Sequence, residues 1–174
     1  ICHFSVDNDV VNMTTRLNGE NTFFLPYNKT LNNLETESDG YKVDYLWKEI
    51  LTPTSLLDII ENFVLFTHET ESVWSDEKNK VIREKKPVLI FPRYHQLDVI
   101  RKLRDQVSQD GVGKNYLVQH TTGSGKSFEI GWLSFMLTNL FKNEGEDRVF
   151  DSIIIITDRK VLDRQLQDTV KSLE

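Results

Sequence analysis

The sequence predicts an α/β fold built on a parallel sheet, with a smaller α+β region ahead of it. Three observations carry that reading. Tyr116-Leu117-Val118 is a short apolar run that stops at a small-residue turn and gives way to a long apolar segment from Phe128 to Leu140. Ile153-Ile154-Ile155-Ile156 is consecutively apolar, as a strand buried on both faces of a parallel sheet has to be. Near the start, Cys2, Phe4 and Val6 alternate with more polar residues, the period of a half-buried strand.

Composition sets the outer bounds. The chain has 174 residues, 39% hydrophobic and 28% charged, an ordinary globular balance with room for one full domain or parts of two. The formal charge of −6 gives no global basic signature for nucleic acid. Charge is uneven, with nine Lys/Arg against three Asp/Glu over residues 77–104 and two against six over residues 1–40. A solvated helix face produces such a run as readily as a DNA-facing patch. Cys2 is the single cysteine, so no internal disulfide can form and a cytoplasmic setting is expected. No apolar run approaches the ~20 residues that span a bilayer. The first residues have neither the basic start nor the apolar centre of a signal peptide, and the absence of an initial Met reads as a piece of something longer.

In order, strands are expected at residues 2–6, 10–16 and 22–27, with Asn18-Gly19 as a hairpin turn between the last two. Residues 28–40 read as a polar surface loop. From Tyr41 the period becomes helical through Val43, Leu46, Trp47, Ile50 and Leu51, and Pro53 is expected to end that helix. Ser55 and Asp58 offer a capping box for a second helix running to Phe66. Residues 67–86 read as a charged linker, although Lys78 to Phe91 holds enough apolar residues for one or two strands. Pro92 starts a helix with Leu97, Ile100, Leu103 and Val107 inward, stopped by Asp110-Gly111. After the strand at 150–157, Asp158 caps a last helix bearing Val161, Leu162, Leu166 and Val170.

The chemistry concentrates at His120-Thr121-Thr122-Gly123-Ser124-Gly125-Lys126-Ser127. A strand, a Gly-rich turn, Gly-Lys-Ser and a helix make a phosphate loop, although the strict pattern opens with Gly where His120 stands here. Glycines let backbone N–H groups turn in around an anion, and the helix N-terminus adds positive potential. Thr121, Thr122, Gly123, Ser124 and Gly125 would cradle the phosphates, Lys126 would reach the β- and γ-phosphates, and the Ser127 hydroxyl would ligate Mg²⁺. The expected ligand is a nucleoside triphosphate. None of His3, His68, His95 and His120 pairs with Cys or Asp at metal-ligand spacing, so the sequence proposes no zinc site.

Three ordered motifs carry a family resemblance. They are Ile90-Phe91-Pro92-Arg93-Tyr94-His95-Gln96, the phosphate loop, and Ile155-Ile156-Thr157-Asp158-Arg159-Lys160-Val161-Leu162-Asp163-Arg164-Gln165-Leu166. Together they resemble superfamily 2 helicases, and specifically the restriction (R) subunit of type I restriction-modification enzymes. Residues Asp9 to Leu17, Thr22 to Asn28 and Tyr45 to Phe66 are similar to the region joining that subunit's nuclease domain to its motor. The resemblance implies a nuclease-region end at 1–66, a linker at 67–86 and the start of a first RecA-like lobe at 87–174.

It also implies that Gln96 hydrogen-bonds the adenine edge, favouring ATP. Thr157 and Arg159 would contact the DNA backbone, with a surface salt bridge the alternative for Arg159 and a plain helix cap the reading of Asp158. The parent protein would be an ATP-driven double-stranded DNA translocase and endonuclease of the bacterial cytoplasm. It would act with modification and specificity subunits, and S-adenosylmethionine would enter through the modification subunit. No Asp…Glu-x-Lys nuclease triad and no acidic ATPase motif is recognisable, so no catalytic residue is assigned, and the chain is expected to bind ATP without turning it over. A stand-alone superfamily 2 helicase or translocase is the competing class, and a phosphotransferase using the same loop is another.

Overall fold

The computed structural model describes residues 1–34, 40–75, 79–142, 147–158 and 167. The chain divides into two compact units, Ile1–Phe91 and Pro92–Glu174.

The first unit begins with three antiparallel strands, β1 (His3–Val6), β2 (Val11–Thr14) and β3 (Leu25–Pro26), in the order β1-β2-β3. Asp7 turns the chain between β1 and β2 by accepting the N–H groups of Asp9 and Val10 at 2.8 and 2.7 Å. Those two bonds hold its carboxyl below the ordinary value. Val11, Met13 and Tyr27 are fully or almost fully buried, and Phe4, Tyr27 and Phe91 meet ring to ring at 5.2–6.4 Å. Asn18-Gly19 does turn, with Asn21 and Thr22 donating back to Asn18 and Gly19, but β3 is only two residues long, at the end of the expected 22–27.

Asn33 ties the following loop to this sheet. It is fully buried in the left-handed region (φ 54°), donates to the Asp9 carbonyl at 2.8 Å and accepts from the Lys29 N–H at 2.8 Å. Asn tolerates that backbone conformation, and its amide serves both bonds at once. Leucine of similar volume would leave both backbone partners unsatisfied in a strained site. Asn33→Leu is expected to cost about 2–3 kcal/mol, read as a lower midpoint in urea at unchanged slope.

Two helix expectations need correction. Residues 41–51 do not form a regular helix: a turn at 42–44 leads into a short π-helix, Leu46–Ile50, closed by the Leu51 N–H on the Leu46 carbonyl at 2.7 Å. Pro53 does not end a helix but opens one, α1 (Pro53–Asn62), because its fixed φ suits the first helical position. Thr52, not Ser55, is the cap, accepting the Ser55 N–H. The helix stops at Asn62 rather than reaching Phe66.

A long ribbon runs through the stretch expected as a linker, and it includes a strand where the apolar residues of Lys78 to Phe91 allowed one. β4 (Leu65–Ser75) and β5 (Lys80–Ile90) pair antiparallel from Leu65 opposite Ile90 to Ser75 opposite Lys80, and Asn79 turns back with φ 46°. Its polar residues hide the strand signal because the ribbon keeps both faces largely wet. Thr70 stands opposite Lys85 and Ser72 opposite Arg83, pairs that a solvent-exposed ladder accommodates.

The second unit contains α2 (Tyr94–Asp110) and α3 (Lys126–Thr138), which pack on each other; Leu97, Ile100 and Val107 of the former and Trp132 and Met136 of the latter are buried. Gly111 ends α2 as expected. The parallel sheet does not form among the described residues. Residues 116–118 and 153–156 have no ladder partners, with Leu117 91%, Ile154 81% and Ile156 89% exposed. A strand apolar on both faces is stable only between neighbouring strands and under helices, and no described strand flanks either segment. An apolar cavity of about 160 Å³ remains between α2 and α3 beside Val118. The observed fold is therefore α/β with two small antiparallel sheets. Of the expected last helix only Gln167 is described, and it is helical. No described helix is long and apolar enough to cross a membrane.

Candidate phosphate-loop site

Local sequence explains how the loop is held. Pro92 precedes Arg93, which is extended (φ −74°, ψ 158°) and caps α2, so the chain enters the helix with the Arg93 N–H still seeking an acceptor. The Gln96 side chain supplies it, with Oε1 accepting at 2.8 Å. That bond aims the other end of the amide at the loop. Gln96 Nε2 donates to the carbonyls of Ser124 and Gly125 at 3.1 and 3.2 Å, and Gln96 is only 4% exposed. Both ends of the Gln96 amide are thus engaged, and the side chain clamps α2 to the loop.

The loop then turns on Gly123 (φ 79°) and Gly125 (φ 88°), both in the region that side chains with a Cβ disfavour. Gly125 is also the N-cap of α3, and a Cβ built there would run into Gln96 Nε2. Ser124 is buried, and its Oγ has no hydrogen-bond partner among the described residues. Lys126 starts α3 and folds back, donating to the carbonyls of His120 and Thr121 at 3.1 and 2.7 Å. Ser127 follows on the first turn, half-buried. Arg93, His95, Gln119 and residues 120–124 line an open cavity of about 420 Å³.

A second cluster lies against the loop. His120 Nδ1 is 2.9 Å from Oε1 of the buried Glu129, and His95 Nε2 is 3.6 Å from the same oxygen and 3.0 Å from the Ser124 carbonyl. The two imidazoles meet edge to face at 5.0 Å. Burial holds His95 below the ordinary histidine value, with nearby Arg93 and His120 adding to that effect and the Ser124 carbonyl and Glu129 opposing it.

The structure thus brings Gln96 and residues 121–127 together. Thr157 lies on a stretch outside any described helix or strand, and Arg159 lies outside the described residues. The reading of the sequence missed Glu129 and the two histidines around it. Their only signal was His120 standing where a strict phosphate loop has glycine, since the three residues come from α2, the loop and α3 and share no short spacing.

Comparison with known proteins shows what the chain is similar to. Residues 95–174, which span α2, the loop and α3, match the family model of the SWI2/SNF2 ATPase. The chain is also 31% identical over 170 residues to the "Putative type I restriction enzyme MjaVIIIP endonuclease subunit" of Methanocaldococcus jannaschii. That alignment covers 90% of this chain and 14% of the relative. The resemblance to the type I R subunit is thereby shown along nearly the whole chain, with an ATPase-family segment at its C-terminal end. No solved structure matches.

Proposed function

We propose that the chain carries the ATP-binding loop of a DNA-translocating, DNA-cleaving subunit of a type I restriction endonuclease, which restricts unmodified foreign DNA. The observation that supports this most directly is the loop itself. Two left-handed glycines, a lysine and a serine at the head of α3 lie within the segment that matches an ATPase family. The extension of the relationship through residues ahead of that segment favours an R subunit over a stand-alone helicase or translocase.

The residues fit ATP and Mg²⁺. The cavity is of ligand size, and the buried Ser124 hydroxyl has no described partner. Backbone N–H groups of residues 121–125 and the N-terminus of α3 would hold the phosphates, Lys126 would neutralise them, and Ser127 would ligate the metal. Bound ATP would supply the free energy that drives two lobes against each other along duplex DNA. Before that, Lys126 has to leave the two carbonyls it now serves, so binding begins with an exchange of hydrogen bonds. Thr157 and Arg159 are the proposed contacts to the DNA backbone, where affinity is electrostatic and independent of sequence.

In this reading residues 1–66 close a nuclease region and the motor lobe starts near residue 87, close to the boundary at Phe91 between the two compact units. Modification and specificity subunits, with S-adenosylmethionine in the former, are the proposed partners in a cytoplasmic complex. The test is a titration of the purified chain with ATP and Mg²⁺ beside ATPase and DNA-cleavage assays. Saturable but weak ATP binding with no turnover is expected. DNA cleavage by this chain alone, or phosphate transfer to an added acceptor, would overturn the reading.

A further inference from the structure

We infer that His95, His120 and Glu129 form a binding site for one borderline divalent transition-metal ion such as Zn²⁺, beside the phosphate loop and separate from the Mg²⁺ that accompanies a nucleotide. The ligand atoms already converge. One atom from each residue lies within 4.8 Å of the others, with Glu129 Oε1 at 2.9 Å from His120 Nδ1 and 3.6 Å from His95 Nε2. A tetrahedral ion with bonds of about 2.0–2.2 Å sets its ligand atoms roughly 3.3–3.6 Å apart. The His95–Glu129 separation is near that value. The His120–Glu129 distance is a hydrogen bond, and it opens by about half an ångström once the ion takes the place of the proton between the two groups.

Donor chemistry selects the metal. Two imidazole nitrogens and one carboxylate suit Zn²⁺ or Co²⁺, whereas Mg²⁺ and Ca²⁺ call for oxygen ligands throughout. Glu129 is 6% exposed, and a carboxylate that far from water needs positive charge or donated protons around it. Two neutral imidazoles can supply only hydrogen bonds. The ion would replace these with direct bonds and leave Glu129 charged and compensated. Three protein ligands leave a fourth position open toward the cavity that His95, His120 and residues 121–124 line. The metal would fasten α2, the loop and α3 together at the same place as the Gln96 clamp. None of this depends on nucleotide binding.

The test uses the whole chain, freed of metal and without nucleotide. Co²⁺ is added and followed by visible absorption, and Zn²⁺ is then used to displace it. We expect one Co²⁺ per chain with tetrahedral bands that vanish as Zn²⁺ enters, and a melting temperature raised by Zn²⁺. His120→Gln should weaken Zn²⁺ binding by at least about a hundredfold, more than loss of an outer partner does. His68→Gln, on the β4–β5 ribbon, should leave it unchanged. Absence of saturable binding, or equal binding by wild type and His120→Gln, would overturn the inference. So would equal loss in His68→Gln. Glu129→Gln should weaken Zn²⁺ binding as His120→Gln does, and should it fail to fold, His120→Gln and the Zn²⁺ effect on wild-type melting still decide. ATP titrated in a separate experiment tells failure of this site apart from failure of the nucleotide reading.

Discussion

Lys126→Ala is expected to lower the affinity for ATP and Mg²⁺ by roughly a hundredfold while leaving the fold intact. A hydrogen bond to a charged group contributes about 1.5–3 kcal/mol, and Lys126 is the one residue of the loop that would bring a full positive charge to the phosphates. Its present partners, the carbonyls of His120 and Thr121, sit on an exposed loop where water can replace the amine. The change in unfolding free energy should therefore stay within about 1 kcal/mol. Calorimetric titration of the two proteins under one salt condition measures the ratio. Equal affinities would show that the loop does not bind the phosphates through Lys126. A drop in melting temperature as large as the loss of binding would point to a structural role instead.

Part of this molecule could be read directly from the sequence, and the pattern is physical. α2 was legible because its signals are local: a proline ahead, a glycine behind, and apolar residues at helical spacing. The loop was legible because a phosphate cradle needs its glycines and lysine within a few consecutive residues. The β4–β5 ribbon was legible only in part: Val81, Ile82, Val88, Leu89 and Ile90 marked a strand in β5, whereas β4 and the middle of β5 carry the composition of a linker, and only pairing across the ladder makes them strands. Pro53 misled for a related reason, since proline both excludes a helix interior and favours a first turn, and Thr52 settled which.

The parallel sheet expected around residues 116–118 and 153–156 is the opposite case. Its apolar runs are plain in the sequence, but a parallel strand exists only as a member of a ladder, and the described residues provide none. The cluster of His95, His120 and Glu129 was invisible because it is assembled by tertiary packing. Nothing in the spacing of three residues from three elements announces that their side chains meet.

Gly125→Ala should have the largest effect on the loop, and the cause can be separated by a second substitution. At φ 88° an alanine is strained, and its Cβ would collide with the Gln96 amide that clamps the loop to α2. The two costs are independent. Backbone strain of this kind amounts to about 1–2 kcal/mol, and forcing the buried Gln96 off its partners adds about 1–3 kcal/mol for the groups left unsatisfied. Gly125→Ala alone is thus expected to destabilise the second unit by about 2–5 kcal/mol and to abolish detectable ATP binding. Gln96→Ala alone removes the clamp and exposes three backbone groups to imperfect solvation, at about 1–3 kcal/mol. In the double variant the collision no longer exists, so its cost should fall short of the sum of the two by at least about 1 kcal/mol. Chemical denaturation of the four proteins completes the cycle. Simple additivity would mean that the close approach of Gln96 to Gly125 carries no energy and that glycine is needed for its backbone alone. A double variant as stable as Gln96→Ala would mean the reverse, that the clamp, rather than the left-handed turn, requires glycine at this position.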